Sequence, residues 1–251
     1  SVADLISSRF GKSNLLGVIV TLLAVVGTTP YIALQLQSVV LAFGAMAQPG
    51  VSDWARQDPT ATALWVAAGL ALFTVLFGTR NLDANERHYG VVTAIAVEAV
   101  VKLVALLAVG AFVTWGLGGG PGAVLDRIAA SPIADWQIDR ARWVGLTFIS
   151  AAAVLCLPRM FQVLVVENPE EGFLATAGWA FPLYLMLMSL FVVPIAVVGL
   201  DRLPIGANPD LFVLTLPLAE GRTGLAMLAF LGGFSSATSM VIVAAIALST
   251  M

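Results

Sequence analysis

Charge is what this chain has least of. Only 11% of its 251 residues are Asp, Glu, Lys or Arg, against about 25% in soluble globular domains. Residues 13–52, 172–200 and 223–251 carry no charge at all. A single cysteine, Cys156, excludes an internal disulfide and any cysteine-based zinc cluster. It lies in an apolar run and is expected to be a small buried hydrophobe. A single histidine, His88, leaves no His pair for a metal, and it falls in an expected loop. With a net charge of −3 and no basic stripe, the chain has no expected nucleic-acid partner. No G-x-S-x-G elbow surrounds Ser235, and no glycine-rich phosphate loop ends in Lys. No enzyme activity and no organic cofactor are therefore expected of this segment.

What remains is apolar. Hydrophobic residues make up 59% of the chain, and the mean hydropathy is +0.96. The expected class is a polytopic membrane protein, in the cytoplasmic (inner) membrane of a cell, with lipid facing most of its surface. Strands in lipid alternate at period two, and these runs do not. Helices satisfy their own backbone, so the fold is expected to be all-α.

Six spans can be placed by length and flanking charge, at residues 15–46, 61–78, 90–116, 143–166, 173–200 and 223–251. The first is long enough to tilt, or to kink at Thr29-Pro30. Residues 117–142 are expected outside the membrane. Within them Val124, Ile128, Trp136 and Ile138 alternate with charges, as in a short interfacial helix plus loop. The Pro- and Gly-rich stretch 201–222 reads as an external loop. Charge does not orient the bundle. Arg9, Lys12, Arg80, Arg87 and Arg159 fall on one side, and Arg56, Arg127, Arg140, Arg142, Arg202 and Arg222 on the other. Six crossings put both ends on the same side. Because the chain starts at Ser1 without a Met and ends in an apolar helix, we read residues 1–251 as a segment of one larger transmembrane domain.

Four polar features fall inside these spans. Glu98 and Lys102 stand near mid-membrane, four residues apart on one helix face. They are either a mutually neutralising pair or a coupling pair on an aqueous path. Pro158 removes a backbone donor late in the fourth span, followed by Arg159, Met160, Phe161 and Gln162. This is a plain kink, the end of a span, or a broken helix opening onto a solute. Tyr31, Gln35, Gln37 and Ser38 flank or follow Pro30, as solute-lining groups or as interhelical glue. In the last span, Gly232, Gly233, Ser235, Ser236, Thr238 and Ser239 form a cluster of small residues and hydroxyls. It suits either a close-packing seam or the oxygen shell of a sodium ion.

Several of these runs resemble one family. Residues 2–13, Val-Ala-Asp-Leu-Ile-Ser-Ser-Arg-Phe-Gly-Lys-Ser, are similar to the cytoplasmic segment before a long helix in sodium:solute symporters. The run Pro30-Tyr31-Ile32-Ala33-Leu34-Gln35-Leu36-Gln37 resembles the branch in which a symporter-like domain is fused to a sensor histidine kinase. So do Leu157–Gln162 with Val165-Val166-Glu167-Asn168, Phe181-Pro182-Leu183-Tyr184, and Ser235–Val243. The resemblance implies an inverted repeat of five plus five helices, of which this chain supplies the third to the eighth, with both ends cytoplasmic. It implies a sodium site at Ser235 and Ser236, with the Gly232 carbonyl one turn earlier and Ser239 beside them. It matches the family's broken sixth helix to Pro158. The solute site is then expected at Tyr31, Gln35, Pro158, Met160, Phe161 and Gln162.

The implied function is sodium- or proton-coupled binding and uptake of a small organic solute, an amino acid among the candidates. A fused or downstream histidine kinase and its response regulator are the expected partners, with this domain as sensory input. A stand-alone symporter, or a sensory or structural bundle that moves nothing, are the alternatives.

Overall fold

The computed structural model describes residues 1–47, 58–77, 89–135, 137, 139–168, 170 and 172–251. Arg56, Arg80, Arg87, His88, Trp136 and Ile138 lie outside the described residues. Among the described residues every regular element is a helix.

Helix α1 (Val2–Arg9) starts with a capping box: the Ser1 hydroxyl accepts from the Asp4 backbone N–H, and the Ser1 backbone nitrogen donates to the Asp4 carboxylate at 3.1 Å. The chain then turns through Gly11 and Lys12, both at positive φ. Ser13 caps α2 (Asn14–Met46), and the Ser7 hydroxyl donates to the Ser13 carbonyl, which fixes α1 beside α2. Helix α2 runs unbroken through Pro30. Its 33 residues rise about 50 Å, well over the roughly 30 Å of hydrocarbon in a bilayer.

Helix α3 (Pro59–Phe77) and α4 (Tyr89–Ala111) follow; α4 continues as a π-helical turn, Phe112–Leu117. Next come α5 (Pro121–Ala130), α6 (Arg140–Cys156) and the short α7 (Pro158–Phe161), extended by a second π turn, Gln162–Val166. Then α8 (Gly172–Ser189), α9 (Val192–Arg202), α10 (Phe212–Ala219) and α11 (Thr223–Ser249) complete the chain. Five stretches are long and apolar enough to cross a membrane: Asn14–Met46, Pro59–Leu76, Val92–Leu117, Gly172–Arg202 and Thr223–Ser249. Arg140–Val154 and Pro158–Val166, bent by 46° at their junction, make a sixth when taken as one span. The bend has a local cause. Pro158 cannot donate, and Leu157 before it is extended at φ −72°, ψ 127°.

Helix α11 is the hub. It packs on α4, α2, α3, α7 and α10. The densest core lies near its N-terminal end, where Val109, Val113, Ile195, Val198, Phe212, Leu216 and Ala226 are buried together. Gly199 admits the Phe212 ring where any Cβ would overlap it. The same end is tied by Arg127 to Asp201 at 2.6 Å, Arg202 to Glu220 at 3.5 Å, and Arg202 to the Leu117 carbonyl. Elsewhere large apolar side chains such as Leu23, Trp65 and Phe148 point outward, 68%, 75% and 73% exposed, as lipid-facing residues do.

Two expectations are corrected here. Residues 201–222 are not an external loop throughout: they contain α10, and Phe212, Leu214, Leu216 and Pro217 are among the buried side chains. The apolar run Phe212–Ala219 outweighs the Pro and Gly around it, because α9 and α11 give it a surface on which to bury. Cys156 is exposed, not buried. It is the last residue of α6.

Candidate functional site

Two residues of α4 begin the site. Glu98 and Lys102 are one helical turn apart, so both face α11 and α8. They do not form an ion pair at contact distance. The Lys102 ammonium instead donates to the Ser236 hydroxyl on α11 at 2.9 Å. This partner is available because Gly232, one turn earlier on α11, lets the helices touch: a Cβ there would lie 3.1 Å from the Ala105 Cβ and 3.3 Å from the Lys102 Cα. Ser239 stands beside the Glu98 carboxyl. The second carboxylate oxygen of Glu98, Oε2, is buried with no hydrogen-bond partner. The expected intramembrane pair is thus a three-part arrangement spread over two helices, in which the lysine has its partner and the carboxylate keeps a free acceptor.

The bend at Pro158 adds a second cation. Arg159 follows the bend directly. It turns inward, with its guanidinium carbon 4.0 Å from the centre of the Tyr31 ring. Its Nη1 lies 3.6 Å from the Met240 sulfur, and the Tyr31 hydroxyl also donates to that sulfur. One methionine on α11 therefore ties α2 to α7. From α8, the Tyr184 hydroxyl donates to the Ala99 carbonyl at 3.2 Å, which holds α8 against α4.

Most of these groups line a half-open cavity of about 400 Å³. Its walls are mostly apolar, including Ile95, Met160, Phe181 and Val243, and its polar points are Glu98, Lys102, Arg159, Tyr184, Ser236 and Ser239. A second cavity of about 310 Å³ lies toward the other end of α11, lined by Ser38, Asp210, Phe230 and Phe234 among others. Lys102 lines both.

The residues expected to hold a solute are dispersed. Only Met160 lines the 400 Å³ cavity. Tyr31 and Pro158 line a small neighbouring recess of about 60 Å³ with Arg159. Gln35 is half-buried on α2 and lines neither large cavity. Phe161 is half-buried, also outside both. Gln162 is buried, and its amide donates to the Glu167 carboxylate at 3.2 Å across the π turn. That bond closes the turn and takes the Gln162 amide out of the cavity.

Arg159, Tyr184 and Met240 carry much of the site and were not among the expected solute ligands. Arg159 gave a signal: an arginine one residue after a helix-breaking proline inside an apolar span. The contact of Tyr184 with Ala99, 85 positions apart, left no such trace.

The expected sodium ligands are all on α11, and each takes part in a hydrogen bond. Ser235 donates to the Gly232 carbonyl at 3.3 Å, Ser239 to the Ser236 carbonyl at 3.1 Å, and Ser236 accepts from Lys102. Gly232 is buried against α4, the seam that small residues at mid-helix allow. No protein-family model, no curated protein and no solved structure matches this chain.

Proposed function

We propose that this chain is a membrane-embedded domain that binds and transports a small organic solute, coupled to a sodium or proton gradient. In the reading the sequence resemblance favours, solute passage is reported to a histidine kinase of the same system. One observation supports it above the others: a partly open cavity of about 400 Å³ between apolar helices carries two cationic side chains, Lys102 and Arg159, and one carboxylate, Glu98. Charge within a bilayer is costly and is retained where it serves a path or a ligand. Apolar walls with a few convergent polar groups are the usual form of a small-molecule site. A solute carrying both charges, such as an amino acid, meets a partner for each: its carboxylate at Arg159 and its ammonium at the unpartnered Glu98 oxygen.

The test is uptake of labelled amino acids into vesicles by the full-length protein, native against Arg159→Ala and Met160→Trp. Uptake lost in both variants, with their melting temperatures near native, is the expected result. Uptake unchanged when Trp fills the cavity at position 160 rejects this site. A native protein that moves no amino acid rejects the solute class.

A further inference from the structure

The hydroxyl cluster of α11 looks like a cation site in sequence, and in the structure a cation is already there. The Lys102 ammonium sits 2.9 Å from the Ser236 hydroxyl. That is hydrogen-bond distance, and it is also within the space a sodium ion bound to the same oxygen would need. Two unit positive charges at such a separation repel strongly wherever water does not screen them.

The remaining hydroxyls bond within their own helix. Coupling-ion sites draw on carbonyls released where a membrane helix unwinds, but α11 is continuous from Thr223 to Ser249. The Ser235 hydroxyl donates back to the Gly232 carbonyl, Thr238 to the Ser235 carbonyl, and Ser239 to the Ser236 carbonyl. Each bond directs a hydroxyl along its own helix. The Gly232 backbone is covered by Lys102 and Ala105, so that face of the cluster is closed by α4.

We infer that Lys102 is the built-in cation of this cluster: its ammonium stands where a sodium ion would stand at Ser236, and the cluster itself takes no sodium. Lys102 is the residue that sets this ion specificity. Because it lines both large cavities, a solute in either cavity meets a tethered amine rather than an exchangeable metal ion. The inference stands on the cluster alone and does not require uptake. It narrows the coupling ion of the proposed function without depending on it.

The experiment is thermal unfolding of the purified protein in detergent, without solute, in sodium chloride against potassium chloride at matched ionic strength. Saturating a site that exists only in the folded state raises the melting temperature by on the order of 5 °C or more. The expected result is the same melting curve in both salts for the native protein. Ser236→Ala leaves the ammonium without its hydroxyl partner and lowers the melting temperature equally in both. In the Lys102→Met/Ser236→Ala double variant the loss is smaller than the sum of the two single losses, because one bond is removed twice.

A saturable, sodium-specific rise in the native protein that Ser236→Ala abolishes overturns the inference. Where Ser236→Ala does not fold, Ser236→Cys serves, since it too removes the hydroxyl oxygen. A sodium-specific rise that survives loss of the Ser236 hydroxyl but is abolished by Ser235→Ala or Ser239→Ala overturns the inference as well, and one that survives all three places sodium outside the cluster and leaves the inference standing. These readings involve no solute, so they fail or succeed separately from the uptake measurement.

Discussion

Adjacent glycines on α11 have opposite surroundings. Gly232 is buried, and an added Cβ would press on the Lys102 backbone and on Ala105; at Gly233 an added Cβ would meet nothing within 4 Å. Backbone cannot swing aside as a flexible side chain can. Gly232→Leu is therefore expected to lower stability by about 1–3 kcal/mol, the usual cost of overpacking, and to pull Lys102 off Ser236. Gly233→Ala is expected to be neutral or slightly stabilising, since Ala is the better helix former by up to about 1 kcal/mol. Melting curves of the two variants in detergent check both; equal losses would mean that α4 and α11 do not meet at Gly232. The sequence showed the pair of glycines, but periodicity could not say which one faces a neighbour on a helix where both sides are apolar.

At the scale of the element, α10 teaches the most. It has eight residues, about 12 Å of rise, too short to cross a bilayer. Yet Leu216 is only 1% exposed. Helix α10 is a plug between α9 and α11, closing the end of the bundle where the core is densest. Leu216→Ala is expected to cost about 2–5 kcal/mol, the range for emptying a full leucine site. Ile205→Ala, at a fully exposed residue of the same connection, is expected to change stability by no more than about 0.5 kcal/mol. Denaturant or thermal unfolding of the pair measures the difference, and a similar small loss in both would place the 201–222 connection outside the core after all. The run Phe-Val-Leu-Thr-Leu-Pro-Leu-Ala was visible in the sequence. Composition averaged over the whole connection hid it.

For the whole molecule, many large apolar side chains of the described helices are exposed, and Cys156 is exposed as well. A water-soluble, charged maleimide added to intact vesicles is expected to leave Cys156 unmodified, because lipid covers the sulfur. The same reagent should label it after the bilayer is dissolved in a denaturing detergent. Being the only cysteine, it gives an unambiguous mass shift. Rapid labelling in intact vesicles would put the junction of α6 and α7 in water and remove the bent pair as a sixth crossing.

Composition and the spacing of charges determined a great deal: the all-helical class and the places of five helices long and apolar enough to cross a membrane, with a pair bent at Pro158 that makes a sixth when taken as one span. They could do so because a bilayer imposes one rule on each segment separately, that the backbone must satisfy itself within a long apolar run. Chemical detail lies between segments and followed no such rule. Glu98 and Lys102 were read as a pair because they are neighbours on one helix; a serine 134 residues further on is the lysine's partner because Gly232 lets α11 lie against α4. Arg159 was visible beside Pro158, but only the 46° bend and the contacts with Tyr31 and Met240 brought it inward. A one-dimensional pattern records which side chains lie on the same face of a helix, while the packing of helices on one another decides which of those faces meet.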